Sequence, residues 1–208
     1  MLLKSYEHPC GDMIEHANVR ISGTISADTS KVVDDVKYRV YRSELQFKRL
    51  SDKMDGAVLN IKGDAYRNIQ KGKKVCIDGS LRTYKQPGGG SQTVILVFNI
   101  EDYSQSQEDC NSVDISGRIV NSRMTNNGEN VHVCEARIEV LGKYNKMSRI
   151  TIVGWGMIAD KLNSLGVGTE INCEGRLQSR VLRDCDCDET NEILEVAVKK
   201  LKVAGEEE

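Results

Sequence analysis

The stretch ITIVGWGMIADKLNSLGVGTEINCEGRLQSR, residues 150–180, decides the fold, because two periodicities follow each other within it. Apolar residues alternate up to Trp155, the only tryptophan of the chain, as they do in a half-buried strand. Four apolar residues then follow at helical spacing: Met157, Ile158, Leu162 and Leu165. Gly166 suits the end of that helix, and alternation returns with Ile171 and Leu177 facing inward. The stretch therefore predicts a strand, a short helix and another strand.

Further strands are predicted on both sides of this stretch. VDISGRI at 113–119 and VHVCEARIEV at 131–140 both alternate, and ILEVAVKKLKV at 193–203 is predicted to be the last strand. The second half of the chain thus has three strands, one helix and two strands.

The same order occurs a second time in the chain. VRISGTI at 19–25 matches VDISGRI, and KKVCIDGSLRT at 73–83 matches TEINCEGRLQS at 169–179, with offsets of 94 and 96 residues. The strands of the first copy are predicted near 17–26, 37–48, 56–62, 74–84 and 93–101, with a helix near 64–71. The sequence therefore predicts two copies of one domain, at 1–104 and 113–208, joined by a polar linker at 105–112.

Five short strands with a helix after the third are typical of the oligonucleotide/oligosaccharide-binding (OB) barrel. Four glycines lie at matching places inside the strands, where they predict bends or bulges: Gly23, Gly79, Gly117 and Gly175. The predicted fold class is all-β with one short helix per domain, arranged as tandem five-stranded OB barrels.

Composition limits the possible environments of the chain. The net charge is −2, but residues 1–104 hold 16 Lys/Arg and 13 Asp/Glu, a balance of +3, whereas the rest hold 13 and 18, a balance of −5. No secretory signal and no membrane span are predicted. The seven cysteines form no framework, so we expect reduced thiols, with Cys173 in a core, and a cytoplasmic protein.

The second half resembles the bacterial single-stranded DNA-binding protein (SSB) family over roughly residues 113–203. The resemblance is carried by ITIVGWGMIADKL, by LGVGTEINCEGRLQSR and by the closing strand EVAVKKLKV. The first half looks like the leading domain of a two-OB version of that family. The resemblance implies binding of single-stranded nucleic acid, no catalysis, and a homodimer in which four OB folds act together. The chain ends in AGEEE without an apolar-aromatic tip, so recruitment of partner enzymes through the tail is not expected.

Alternation predicts a binding platform on the outer face of the second domain. Arg149 and Trp155 lie on the outer face of one strand, and Arg176, Gln178 and Arg180 lie on that of another. Proteins without sequence preference hold single strands by stacking bases on flat side chains and by contacting phosphates with cations. Trp155 also stands where SSB-like domains carry a base-stacking aromatic. Burial of Trp155 in an oligomer interface is the alternative.

Two further groups of residues are candidates for nucleic-acid binding. The loop after residue 142 offers Lys143, Tyr144 and Lys146, either for wrapping a strand or as an ordinary solvated hairpin. In the first domain, the position that matches Trp155 is occupied by Lys62. Further candidates in this domain are Arg82, Tyr84 and Lys85, with Phe47, Lys48 and Arg49 as additional ones. We expect weaker and more salt-sensitive binding by this domain; a role in oligomerisation or toward another partner is the alternative.

The sequence predicts no catalytic residues, no cofactor and no metal. Cys185 and Cys187 are one residue apart, which is not the spacing of zinc ligands, and His132 has the parity of a core residue. The predicted function is binding of single-stranded DNA with little sequence preference, in replication, recombination or repair. An OB-fold protein-interaction module that has lost DNA binding is the alternative, and RNA or an oligosaccharide is a third possible ligand.

Overall fold

The computed structural model describes residues 17–35, 38–86, 90–104, 108–127, 131–142, 146–183 and 190–205. The strands are β1 (Ala17–Asp35), β2 (Tyr38–Lys48), β3 (Met54–Lys62), β4 (Lys74–Lys85), β5 (Ser91–Asp102), β6 (Asn111–Asn127), β7 (Val131–Leu141), β8 (Met147–Trp155), β9 (Glu170–Arg183) and β10 (Thr190–Val203). A six-residue 3-10 helix, Gly63–Asn68, follows β3, and the α-helix α1, Met157–Ser164, follows β8. Within the described ranges, no helix has the length and apolar character needed to cross a membrane.

Each set of five strands closes into a barrel. In the first barrel, β1 pairs with β2 and β4, β2 pairs with β3, β3 pairs with β5 in parallel, and β5 pairs with β4. The second barrel repeats these pairings in the same order, with β6, β7, β8, β9 and β10 in place of β1 to β5. A closed five-stranded barrel with a helix after its third strand is the OB fold, so the predicted fold class is confirmed.

The core of the second barrel consists of the residues that alternation places inside. The twelve side chains predicted to face inward are all at most 3% exposed: Val113, Ile115, Ile119, Cys134, Ala136, Ile138, Val140, Ile150, Ile152, Ile171, Cys173 and Leu177. Full burial of a large aliphatic side chain stabilises the fold by about 1.5–3 kcal/mol. The barrel is therefore held mainly by the inward faces of its strands.

Helix α1 ends just before Gly166, as expected, but two details differ from the sequence pattern. Met157 is 88% exposed, because it is the first helical residue and the helix turns Ala159 and Leu162 toward the core instead. The left-handed backbone conformation after the helix occurs at Gly168, with φ 93°, and not at Gly166.

Glycines inside the strands allow neighbouring backbones to approach closely. A Cβ atom at Gly79 would lie 2.6 Å from the carbonyl oxygen of Leu96, and one at Gly117 would lie 2.6 Å from that of Glu139. The register between β4 and β5 shifts between Asp78 and Gly79, as a bulge requires. Any side chain at these two positions would collide with backbone.

A pairing between strands joins the two barrels into one ten-stranded sheet. β1 runs antiparallel to β6, with Ala17 opposite Ile115 and Ile21 opposite Asn111. The Asn111 side chain donates to the carbonyl of Leu177 at 3.0 Å and accepts from the Leu177 amide at 2.8 Å, so that it takes the place of a strand neighbour for β9. The start of β6 is thus bonded to both barrels.

Packing of outer faces adds to this junction. β5 contacts β10 across it. Val94 and Leu96 of β5 and Ala197 of β10 lie outside the hydrophobic core cluster, yet they are only 0%, 7% and 5% exposed. Outer faces of sheets are normally solvated, so their burial here shows that each barrel covers part of the other.

Candidate nucleic-acid interface

A groove runs along the boundary between the barrels and has Trp155 in its wall. We call it the junction groove; it has a volume of about 740 Å³. Its lining comes from the turn between β2 and β3 and from all five strands of the second barrel: Arg49, Lys53, Arg123, Thr125, Val133, Glu135, Val153, Trp155, Gln178, Ser179, Arg180, Val181 and Glu195. This volume lies in the range of pockets that hold small-molecule ligands.

Trp155 occupies the last position of β8 and faces outward, as alternation predicts. It is 38% exposed and lies opposite Val133 of β7. The chain turns away directly after it, because Gly156 adopts φ 55° and donates its amide to the carbonyl of His132 at 2.9 Å. The indole is therefore fixed at the end of a strand with part of its surface open to the groove, where a planar ligand can stack on it.

The lining of the junction groove is basic on balance, with four basic and two acidic side chains. Arg49 and Lys53 come from the first barrel, and Arg123 and Arg180 come from the second. Lys53 and Arg123 are exposed and have no ion-pair partner in the part of the chain that the structure describes. These two cations are available to an anionic ligand.

Arg180, by contrast, is already neutralised. Its guanidinium lies 2.6 Å from a carboxylate oxygen of Glu135 and 3.3 Å from one of Glu195. Burial acts to lower the pKa of Arg180, but the two carboxylates together raise it. Arg180 lies on the outward face, as predicted, but its charge is balanced by two glutamates of the protein itself.

Glu195 is a buried acid in the wall of this groove, with 2% exposure. Gln178 donates to its Oε1 at 2.7 Å, while Oε2, although close to Arg180, receives no well-aligned hydrogen bond from any described residue. Burial is the main cause that raises the pKa of Glu195, and the hydrogen bond from Gln178 acts in the opposite direction. Gln178, which we predicted as a nucleic-acid contact, therefore binds Glu195 in the free protein.

A cluster of hydrogen bonds attaches the turn of the first barrel to the groove. Arg49 donates to both oxygens of Asp55 at 2.8 and 2.9 Å and also donates to the carbonyl of Ser179. The amide of Ser179 donates to Asp55 at 3.0 Å, and Asp55 is only 2% exposed. We call Arg49, Asp55 and Ser179 the junction clamp. It fixes the turn that carries Lys53 against β9, between Gln178 and Arg180.

The remaining predicted residues of the second barrel lie apart from the groove lining. Arg149 is exposed and donates to Glu139 at 2.9 and 3.0 Å. It is six residues from Trp155 on the same strand, about 20 Å at the usual rise of a strand. Burial and the nearby guanidinium of Arg49 lower the pKa of the half-buried Arg176. Lys146 is exposed, while Lys143 and Tyr144 lie outside the described residues.

In the first barrel, Lys62 occupies the place that Trp155 has in the second. It ends β3 opposite Val40, just as Trp155 ends β8 opposite Val133, and it is exposed. Tyr84 is 41% exposed, and Lys85 is exposed beside it at the end of β4.

Two candidate residues of the first barrel are buried, and a third forms an exposed ion pair. Arg82 is 7% exposed, because β4 contacts β8 across the junction and the guanidinium packs against Gly142. Phe47 is a core residue with 1% exposure, and Lys48 pairs with Asp52 at 2.6 Å. Burial therefore removes Arg82 and Phe47 as contacts for a ligand, whereas the exposed Lys48 stays a prediction.

His132 is also not a core residue. Its side chain is 53% exposed and pairs with Asp160 of α1 at 2.8 Å. His132 has the inward parity of its strand, but it lies near the end of β7, beyond the barrel core. There its carbonyl accepts the amide of Gly156, at the start of α1. Within the ranges that the structure describes, no group of three or more His, Cys, Asp or Glu residues is arranged to hold a metal ion, and Cys185 and Cys187 lie outside these ranges.

Sequence reasoning did not find Lys53, Arg123, Asp55 or the two glutamates of the groove. Lys53 and Arg123 are isolated basic residues, each with a polar residue before it and a methionine after it, so no local pattern distinguishes them from ordinary solvated side chains. Only the approach of the turn after β2 to β9 brings them into one groove.

Comparison with known proteins agrees with this architecture. The wild-type single-stranded DNA-binding protein from Thermus aquaticus matches with a TM-score of 0.72 and 14% identity over 92% of this chain and 94% of that one. A deletion variant of the same protein matches with a TM-score of 0.72 and 14% identity over 92% and 95%. No protein-family model and no curated protein sequence matches the chain.

The fold and the groove define a tandem OB-fold protein. Its architecture is similar to that of the SSB from Thermus aquaticus, which confirms, at the level of the fold, the resemblance carried by the strand–helix–strand stretch at 150–180.

Proposed function

We propose that this protein binds single-stranded DNA with little sequence preference and acts in replication, recombination or repair. The observation that carries the proposal is the half-open indole of Trp155 in a basic groove between two OB barrels. A base stacked on an aromatic side chain contributes about 1–3 kcal/mol whatever its identity, because every base has a flat face. Cations beside the indole contact phosphates, which are the same in every sequence.

The test is a titration with fluorescently labelled oligo-dT and with a duplex of equal length, at low and at moderate salt. We expect binding of the single strand alone, quenching of Trp155 fluorescence, and a loss of affinity with salt of about 0.7 log units per log unit for each phosphate contacted. Absence of binding at low salt contradicts the proposal.

A substitution at the indole tests the stacking role separately. Trp155→Ala is expected to weaken binding by about 1–3 kcal/mol, whereas Trp155→Phe retains most of the affinity because it keeps a flat ring. Met157→Ala is the matched control, since Met157 is more exposed and does not line the groove. If Trp155→Ala leaves affinity unchanged but dissociates an oligomer, Trp155 is an interface residue instead.

We also propose a homodimer, in which four OB folds share one strand, and weaker binding by the first barrel. Lys62 at the place of Trp155 retains attraction for phosphate but has no surface on which a base can stack. Sedimentation velocity is expected to give twice the chain mass, and a mass equal to one chain contradicts the dimer.

A protein-interaction module is the second candidate, and the ion pairs favour it. Arg149 and Arg180 are both bound to glutamates, so two of the cations predicted for phosphate are occupied. This candidate predicts no binding to oligo-dT at low salt and an intact fold, and the titration above separates the two.

A further inference from the structure

The two accessible cations of the junction groove belong to different barrels. Lys53 lies in the turn between β2 and β3, and Arg123 lies on β6. Both are exposed, neither has an ion-pair partner within the described part of the chain, and Trp155 lines the same groove. A site assembled from two barrels therefore surrounds the indole.

The glutamates of the groove do not cancel this charge. Glu135 and Glu195 both contact Arg180, whose single positive charge offsets one of their two negative charges. Arg49 is likewise bound to Asp55. After these ion pairs are counted, Lys53 and Arg123 outweigh the one carboxylate charge that remains, so an incoming phosphate meets a net positive field in the groove.

The position of Lys53 is fixed and is not the result of a loose loop. The amide of Arg49 donates to the carbonyl of Lys53 at 2.8 Å, and Asp52 takes φ 62° to close the turn. The junction clamp then bonds this turn to Ser179 of β9. Because the backbone of this turn is fixed beside the groove, binding through Lys53 restricts only its side chain and not the whole turn.

We propose that a single strand passes from one barrel to the other through the junction groove, with Lys53 and Arg123 contacting phosphates next to the base stacked on Trp155. This inference rests on the proposed function and extends it: the first barrel supplies part of the binding site of the second. Lys53 and Arg123 are then binding residues, and Arg49 and Asp55 are positioning residues.

The test measures the salt dependence of oligo-dT binding for the full chain and for single-charge variants. Lys53→Gln and Arg123→Gln each remove one phosphate contact, so each is expected to lower the salt slope by about 0.7, and the double variant by about 1.4. Lys71→Gln and Lys199→Gln are the controls, one on each barrel, since both lysines are exposed and lie outside the groove lining. All variants change exposed side chains, and urea unfolding verifies that they are folded.

The outcomes distinguish failure of this inference from failure of the proposed function. If the native chain binds and Trp155→Ala weakens binding, but Lys53→Gln gives the same salt slope as Lys71→Gln, the strand does not cross the junction and only this inference is overturned. A loss of slope for Arg123→Gln alone also overturns it, because the strand then stays on the second barrel. If the native chain does not bind oligo-dT, both proposals fall.

Discussion

Two arginines of the second barrel show how much the availability of a charge depends on its neighbours. Arg123 and Arg180 both line the junction groove. Arg180 is held by Glu135 and Glu195, whereas Arg123 has no ion-pair partner among the residues described, although it lies opposite Glu135 in the sheet. Because Glu135 is placed to bind the guanidinium of Arg180, the guanidinium of Arg123 stays available to a ligand.

The thiol of Cys173 provides a prediction of pH dependence at the scale of one residue. Burial raises its pKa from the ordinary value of 9.0 to about 12. Below about pH 9 the thiol is protonated in both states, and above it the unfolded chain loses a proton that the folded chain keeps, so stability falls as the pH rises toward 12. We expect the native chain to lose about 1 kcal/mol more than Cys173→Val between pH 9 and pH 10, measured by urea unfolding under reducing conditions.

The comparison with Cys173→Val removes the contribution of lysines and tyrosines, which titrate in both proteins over the same range. Valine is somewhat larger than cysteine and cannot ionise, so the core stays filled, and any cost of packing it is the same at both pH values. Parallel loss of stability in the two proteins would show that Cys173 does not titrate on unfolding.

At the scale of the strand, glycine positions decide how closely the sheet can curl. Gly117 lies on β6 opposite Ile171 of β9, with the backbone of β7 at Glu139 close to its other side. A barrel needs such contacts because each strand has neighbours on both edges and the sheet bends sharply. Helix α1 follows the same logic at the rim, where Ala159 and Leu162 close the core.

Gly117→Ala tests this requirement. The added methyl group would stand 2.6 Å from the carbonyl oxygen of Glu139, so we expect a loss of about 1–3 kcal/mol in the free energy of unfolding. Gly166→Ala is the control, because a Cβ there has nothing within 4 Å, and a change of less than about 1 kcal/mol is expected. Equal costs at the two positions would contradict the close-approach explanation.

At the scale of the whole molecule, the junction makes two barrels into one body with a shared groove. β1 pairs with β6, β5 contacts β10, and the junction clamp bonds the turn after β2 to β9. Asp55 is the centre of the clamp, since it accepts hydrogen bonds from both Arg49 and Ser179 while it is almost fully buried.

Asp55→Asn measures the contribution of the clamp. The substitution retains the shape of the side chain but removes its charge, which leaves Arg49 without its charged partner, so we expect a loss of about 3 kcal/mol in urea unfolding. Asp52→Asn is the matched control: its ion pair with Lys48 is exposed, asparagine tolerates its positive φ, and a change within about 1 kcal/mol is expected. If Asp55→Asn costs no more than Asp52→Asn, the clamp does not stabilise the junction.

The sequence by itself determined the two barrels, their strand order, and the core and outward faces of the second barrel, including the outward position of Trp155. These features follow from the period of apolar residues, which is a local property of the chain. Only the tertiary structure decided which outward side chains are accessible. Arg82 is buried by the other barrel, and Arg180 is neutralised by Glu135 and Glu195. Lys53 lines the same groove as Arg123, which lies 70 residues away in sequence. Contacts between barrels join residues that are distant in sequence, so no local pattern encodes them.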